Sequence, residues 1–164
     1  MSESSISVDS PVGRLLLSSN GVALTRVHFV DQPESASDGP EPDDIVMRAA
    51  DQLADYFDRR SGDFDLPLAP AGTPFQQRVW AQLRSIPFGA TASYGDVTAR
   101  LGMDVSAARA VGLANGANPI AIIVPCHRVI GSNGTLVGYA GGLHRKRFLL
   151  DLEAATVQEP LFAD

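Results

Sequence analysis

The feature that most constrains the fold is a segment at residues 61–72, which contains two prolines and ends in glycine, a pattern that interrupts helices and strands. The balance of charge changes sign at the same place. Residues 1–72 carry 13 acidic and 5 basic side chains, whereas residues 73–150 carry 2 acidic and 8 basic ones. We therefore predict a supporting N-terminal domain over 1–72, a C-terminal domain over 73–154 and a tail over 155–164.

The composition excludes several classes of protein. The 164 residues contain one cysteine, so no internal disulfide can form, and one cysteine with three histidines is too few for a structural zinc site. The sequence shows no signal peptide and no apolar run near the roughly 18 residues of a membrane-spanning helix. We expect a cytoplasmic, monomeric protein without a metal, a cofactor or a membrane partner. The basic residues 73–150 are typical of a nucleic-acid-binding surface, although an ordinary solvated face explains them equally.

The N-terminal domain begins with a strong hairpin pattern. Asn20-Gly21 separates the apolar run Arg14–Ser19 from a second run at residues 23–29. Apolar residues at helical spacing over residues 45–57 then predict an amphipathic helix. These elements indicate a small α/β domain with an antiparallel sheet, in which His28 lies in or beside the core.

The C-terminal domain is predicted to be mostly helical. Thr73-Pro74-Phe75-Gln76 is a capping box that begins a helix ending near Ser85. Ser93 caps a short helix that ends at Leu101-Gly102, and a further helix starts at Ser106. Two short helices joined by a glycine-containing turn suggest a helix-turn-helix of winged-helix type. The chain as a whole is predicted to be α/β (α+β).

The second helix of this pair, residues 106–117, consists largely of alanine and glycine. One explanation is tight packing on another helix. The other is entry into the DNA minor groove, which is about 6 Å wide and excludes a helix with ordinary side chains. Arg109 is either an ordinary exposed arginine or a side chain that reaches into the base stack.

The only cysteine, Cys126, follows the apolar run 120–124 and is followed at once by His127. It is either a buried structural thiol or a nucleophile that a histidine base activates. Because adjacent residues on a strand face opposite ways, either the backbone turns at Cys126 or a water relays the proton. Glu153 falls beside the apolar stripe of a predicted helix at 142–153, where it either orients His127 or lies in solvent at a frayed helix end.

Several motifs agree in order and spacing: GTPFQQRVW, IPFG, SYG, AARAVG, ANP, PCHRVIG, GYAGG and FLLDLE. Over residues 73–153 the chain resembles the O6-alkylguanine-DNA alkyltransferases, and residues before them resemble the less distinctive first domain of that family. The resemblance implies repair of O6-alkylguanine, and less efficiently of O4-alkylthymine, in double-stranded DNA. The alkyl group would pass irreversibly to the protein's own cysteine, once per molecule, after the nucleotide is flipped out through the minor groove.

The resemblance also implies roles for single residues. Cys126 is the acceptor, His127 takes its proton through a water, Glu153 orients His127, and Asn118 supports the active-site turn. Arg109 fills the gap left by the flipped nucleotide, and Tyr94 assists its rotation. The other residues expected to bind DNA are Ser106, Ala107, Ala108, Gly112, Ala114 and Asn115. The residues expected to line the substrate pocket are Tyr94, Val129, Tyr139, Ala140 and Gly141.

Two other functions remain open. A lesion-binding module without chemistry would keep the helix pair but would have no use for Cys126. A cysteine hydrolase would need an oxyanion site, for which the sequence gives no indication. The candidate phosphate contacts are Arg78, Arg84, Arg100 and Arg128, of which Arg128 is equally consistent with a structural hydrogen bond.

Overall fold

The computed structural model describes residues 3–31, 41–136, 138–139 and 141–158. Contacts between Cα atoms divide the chain into two compact units, Met1–Ala71 and Gly72–Asp164. Within the described residues no helix is long and apolar enough to cross a membrane.

The first unit contains an antiparallel sheet of three strands in the order β1-β2-β3, with β1 at Ser4–Val8, β2 at Arg14–Ser19 and β3 at Leu24–Val30. The turn between β2 and β3 forms because the Oδ1 atom of Asn20 accepts hydrogen bonds of 2.9 Å from the amides of Val22 and Ala23. The predicted hairpin is therefore confirmed. β1 was not predicted, since its sequence SSISV is short and largely polar.

Helix α1, at Asp44–Phe57, packs on this sheet. Asp43 caps it by accepting a hydrogen bond of 3.0 Å from the amide of Val46. The predicted linker is not a free connection throughout, because the amide of Leu24 in β3 donates to the carbonyl of Pro67, and the amide of Ala69 donates to the carbonyl of Leu24, both at 2.8 Å. The last residues before the boundary are thus held against the sheet.

The described residues of the second unit form four α-helices: α2 at Pro74–Leu83, α3 at Tyr94–Arg100, α4 at Ala108–Gly116 and α5 at Leu143–Gln158. Two short parallel strands, β4 at Ala92–Ser93 and β5 at Val129–Ile130, accompany them. These elements confirm the predicted α/β (α+β) class with an antiparallel N-terminal sheet and a mostly helical second part.

Capping side chains fix where these helices begin. Thr73 and Gln76 form the predicted capping box of α2, and Ser93 and Asp96 form one on α3. Helix α4 begins two residues later than predicted. Asp104 accepts a hydrogen bond of 3.0 Å from the amide of Ser106 and starts a 3₁₀ turn at Val105–Ala107, from which α4 continues.

Helix α4 packs against both α2 and α3. Trp80 of α2 is 2% exposed, and its Nε1 atom donates a hydrogen bond of 2.8 Å to the carbonyl of Ala114 in α4. The inner face of α4 therefore uses its small residues for close helix packing, which is one of the two explanations for its composition. The outer face remains available for a partner.

Candidate active site

The backbone turns immediately before and at Cys126. Ile122 has φ 71°, a left-handed conformation that costs of order 1–3 kcal/mol for a branched residue. Asn118 holds this turn, because its Nδ2 atom donates to the carbonyls of Val124 at 2.8 Å and Ile120 at 3.3 Å, and its Oδ1 atom accepts from the amide of Ile120. A 3₁₀ turn at Cys126–Arg128 follows. The backbone therefore turns at this point, which is one of the two predicted arrangements, and a water relay stays a prediction.

This turn directs His127 into the unit, where it meets Glu153 of α5. The Nε2 atom of His127 lies 2.6 Å from Oε2 of Glu153, and the two side chains are 0% and 1% exposed. The Nδ1 atom of His127 is buried and has no hydrogen-bond partner within the described residues. Since an ionised carboxylate only accepts, Nε2 carries the proton and Nδ1 keeps its lone pair. Nδ1 is then the atom that can take a proton.

Glu153 is also paired with Arg128. The guanidinium Nε atom donates to Oε1 at 2.7 Å, a second nitrogen donates to Oε2 at 3.2 Å, and a third donates to the carbonyl of Ile86 at 2.8 Å. Glu153 also accepts a hydrogen bond of 3.2 Å from the amide of Gly89 at Oε1, in addition to those from His127 and Arg128. Arg128 is 6% exposed, so it serves the structural role that the sequence left open and is buried away from a phosphate.

The pKa values of this group follow from burial and pairing. Burial alone would raise the pKa of Glu153, but hydrogen bonds and charge from His127 and Arg128 outweigh it and lower that pKa to about 2. Burial lowers the pKa of His127 despite the attraction of Glu153, so the imidazole is neutral at neutral pH. Burial raises the pKa of Cys126, against opposing effects of Asn118 and Lys146. The resting thiol is therefore protonated and needs a base before it can act as a nucleophile.

Lys146 of α5 is a site residue that the sequence analysis missed. It is 0% exposed, and its Nζ atom donates to the carbonyl of Val129 at 2.6 Å and that of Gly138 at 3.3 Å. Burial lowers the pKa of Lys146, whereas the charge of Cys126 raises it. Two features of the sequence could have indicated its role. Lys146 is the only lysine in a chain with twelve arginines. It also lies three residues before Leu149 and seven before Glu153, so the three side chains share one face of the helix.

Asn115 links helix α4 to Cys126 and does not face outward. Its Nδ2 atom donates to the carbonyl of Cys126 at 3.3 Å, and it is 4% exposed. Tyr94 is half-buried; burial and the charge of Cys126 raise its pKa, and a hydrogen bond with Asn115 lowers it. Ala114 is buried as well. The structure thus differs from the prediction of direct DNA contact for Ala114 and Asn115, because both lie on the packed face of α4.

The remaining predicted DNA contacts lie toward the other side of α4 and the turn before it. Ser106 and Arg109 are exposed, while Ala107, Ala108 and Gly112 are half-buried. The ring of Tyr94 lies against α4 at Gly112. A Cβ atom on Gly112 would lie 3.7 Å from two carbons of this ring, an ordinary contact distance, so an alanine would also fit at this position.

Two of the predicted pocket residues, Tyr94 and Tyr139, lie near enough to Cys126 for a charge on its sulfur to raise their pKa values. Val129 is fully buried, and Gly141 is buried with its carbonyl accepting a hydrogen bond from Arg145. Burial and the charge of Cys126 hold the pKa of Tyr139 well above its ordinary value, so its hydroxyl stays protonated and can donate a hydrogen bond. Ala140 lies outside the described residues. Across the described part of the chain, no three His, Cys, Asp or Glu side chains are grouped so as to hold a metal ion.

Comparison with known proteins places the whole chain in one family. Residues 74–155 match the 6-O-methylguanine DNA methyltransferase DNA binding domain, and residues 5–70 match the ribonuclease-like domain of the same family. A methylated-DNA–protein-cysteine methyltransferase of Mycobacterium tuberculosis is 51% identical over 149 residues, 89% of each chain. One of Methanosarcina acetivorans is 47% identical over 153 residues, 90% of this chain and 96% of the relative.

Solved structures agree with this assignment. The crystal structure of Mycobacterium tuberculosis OGT in complex with DNA superposes with a TM-score of 0.83 at 50% identity and covers 92% of both chains. An O6-methylguanine DNA methyltransferase from Methanococcus jannaschii superposes with a TM-score of 0.66 at 27% identity, covering 91% of this chain and 93% of that one. The chain belongs to the 6-O-methylguanine DNA methyltransferase family.

Proposed function

We propose that the chain repairs DNA by moving the methyl group of O6-methylguanine onto the Sγ atom of Cys126. The observation that carries this proposal is the His127 imidazole, which follows Cys126 directly in the chain, is fixed through Nε2 by an ionised carboxylate and keeps a buried Nδ1 atom without a hydrogen-bond partner among the described residues. A neutral, oriented imidazole next to the only cysteine is the arrangement that thiol activation requires.

The reaction is a displacement at the methyl carbon. His127 Nδ1 takes the thiol proton, directly or through a water, while the S–C bond forms and the C–O6 bond breaks. The electron pair of the broken bond passes to the guanine, which takes up a proton from water and leaves as the unmodified base, while His127 releases the thiol proton to water and becomes neutral again. The product thioether has no route back to a thiol in this site, so each molecule acts once. Positioning of the reacting atoms supplies much of the rate, and the step needs no cofactor.

The target atom lies inside the duplex, so the damaged nucleotide has to leave the stack, at a cost of a few kcal/mol that a damaged pair reduces. We assign Arg109 to fill the gap and Tyr94 to guide the nucleotide, since Arg109 is exposed on α4 and Tyr94 lies between that helix and the thiol. Val129, Tyr139, Ala140 and Gly141 are assigned to the pocket wall. Activity on O4-alkylthymine, action as a monomer and a cytoplasmic location stay predictions.

The test is the intact mass of the protein after incubation with excess duplex that carries one O6-methylguanine. We expect a gain of one methyl for one hydrogen per chain, placed on Cys126 by peptide mapping, with no further gain over time. Cys126→Ser is the matched control and should bind the lesion without gaining mass.

The other outcomes identify the competing functions. Tight lesion binding by the natural chain without a change of mass would refute the transferase and support a lesion-binding module. Repeated turnover of a chromogenic ester would instead support a cysteine hydrolase.

A further inference from the structure

Leu113 is a large apolar side chain on the outer face of α4, and it is 70% exposed. Arg109 is the side chain of this helix that the family resemblance places in the DNA, and the resemblance assigns no role to Leu113. Leucine is normally among the most buried residue types, and full burial contributes roughly 1.5–3 kcal/mol. A single exposed leucine is common on protein surfaces, but this one lies on the outer face of α4, the helix that the proposed function places against DNA.

The position of Leu113 relative to Arg109 indicates which partner. The two residues are four apart, so they share a face of α4, and they are separated by about 6 Å along its axis. Successive base pairs of DNA are about 3.4 Å apart, so this separation corresponds to roughly two base steps. The neighbours Ala110 and Gly116 are exposed but small, which leaves Arg109 and Leu113 as the two projecting side chains of the outer face of the described helix.

The charge around Leu113 favours DNA over a contact between the α4 faces of two copies of the chain. Residues 73–150, which include α4, carry a net charge of +6, which attracts a phosphate backbone and repels the same segment of a second copy. Proteins that bind the minor groove insert leucine and similar apolar side chains between base steps, unstack them partly and so widen and bend the duplex. A groove about 6 Å wide has to be widened before a helix can enter it.

We propose that Leu113 is an apolar wedge that enters the minor groove roughly two base steps from the position filled by Arg109. It packs there against sugar and base edges and partly unstacks the step. The wedge opens the groove for α4 and carries no information about the lesion. This proposal rests on the proposed function and extends the DNA-binding surface by one residue of a different chemical kind.

The test uses the full chain with Cys126→Ser, which prevents methyl transfer, and compares Leu113→Ala with Val22→Ala. Val22 is a matched control because it is 71% exposed and lies in the first unit. Neither change removes buried surface, so both variants should melt at the temperature of the parent. The DNA probes are duplexes with one O6-methylguanine and 2-aminopurine at one, two or three base pairs on either side of it.

We expect the parent and Val22→Ala to raise 2-aminopurine fluorescence near the second step, and Leu113→Ala to abolish that rise. Leu113→Ala should weaken DNA binding about 5- to 30-fold, and Leu113→Met should restore it. The slope of log K against log salt should stay unchanged in Leu113→Ala, because leucine releases no counterion, whereas Arg109→Gln should make it shallower.

Unchanged affinity and unchanged fluorescence in Leu113→Ala would overturn the wedge. A shift of oligomeric state in Leu113→Ala without a loss of DNA affinity would also overturn it, in favour of a contact between copies. Methyl transfer by the natural chain to the same duplex separates the two proposals: if transfer fails, the proposed function is wrong, and if it proceeds while Leu113→Ala behaves as the parent, only the wedge is wrong.

Discussion

The Oε2 atom of Glu153 lies 2.6 Å from His127 Nε2 and 3.2 Å from Arg128, so one carboxylate serves both the base and a permanent cation. Arg128 keeps Glu153 ionised, and its charge opposes protonation of His127. The histidine is thereby oriented by a carboxylate without being converted to imidazolium, which a base must avoid.

Glu153→Gln tests the carboxylate. The amide has nearly the same shape, but it no longer fixes the Nε2-protonated form of His127 and leaves Arg128 buried without a counter-charge. We expect the single-turnover rate of methyl transfer to fall at least about 100-fold and the free energy of unfolding to fall by roughly 3–5 kcal/mol. Quench-flow transfer assays and urea unfolding measure these quantities. A rate within threefold of the natural chain would contradict the role of Glu153.

Arg128→Met tests the cation. The charge of Arg128 lowers the pKa of His127, so its loss raises that pKa. Glu153, Lys146 and Cys126 are then the charged or titratable groups that remain near His127. The acidic limb of the transfer rate against pH should therefore move to higher pH. Arg128→Lys keeps the charge and should leave the limb nearer its natural position. A lower rate with an unmoved limb in both variants would mean that Arg128 serves stability alone.

Lys146→Met tests the buried ammonium. The positive charge lowers the pKa of Cys126, so its removal should raise that pKa and slow thiolate chemistry at neutral pH. The rate of alkylation by iodoacetamide, measured against pH, reports the thiol directly and does not depend on DNA. The matched control is Arg147→Met, which removes an exposed positive charge from the same helix. An identical alkylation profile in Lys146→Met would refute this electrostatic effect.

The stability of the protein should fall in acid in two stages. As pH drops below about 6.5, an unfolded His127 takes up a proton that the buried one resists, because burial lowers its pKa. Between about 4.5 and 2, the unfolded chain protonates Glu153 while the folded chain does not, which removes roughly 3 kcal/mol. Urea unfolding at a series of pH values measures both stages. The Glu153→Gln variant should lack the second stage of the loss. A natural chain with the same free energy of unfolding at pH 7 and at pH 3 would contradict both stages.

Trp80→Phe tests how α4 is held in place. The change removes the hydrogen bond from Nε1 to the carbonyl of Ala114, which still accepts from the amide of Ala117 at 3.2 Å. We expect a loss of about 1 kcal/mol in unfolding free energy and weaker DNA binding, because α4 carries the residues that we propose to contact DNA. Arg78→Gln removes an exposed hydrogen bond to the carbonyl of Leu101 and should change stability by less than about 0.5 kcal/mol. An equal loss of unfolding free energy in the two variants would argue against this role of Trp80.

The local elements could be predicted from the sequence because their signals are local. The turn at Asn20-Gly21 and the caps at Thr73 and Ser93 act within three or four residues, so they placed the hairpin, α2 and α3. The start of α4 was placed too early, since the competing turn at Asp104 uses the same few residues. The family could be predicted from the motifs around Cys126, because several of them agree with it in order and spacing.

The sequence by itself therefore determined the class of fold, the family and the candidate nucleophile and base. Only the tertiary structure decided how residues far apart in the chain share charge and space. It brought Arg128 and Lys146 to the buried site, turned Asn115 inward toward Cys126, and left Leu113 exposed. The physical reason is that burial and pairing depend on which helices pack together: a hydrophobic period shows that a helix has an inner face, and the neighbouring elements determine which atoms that face meets.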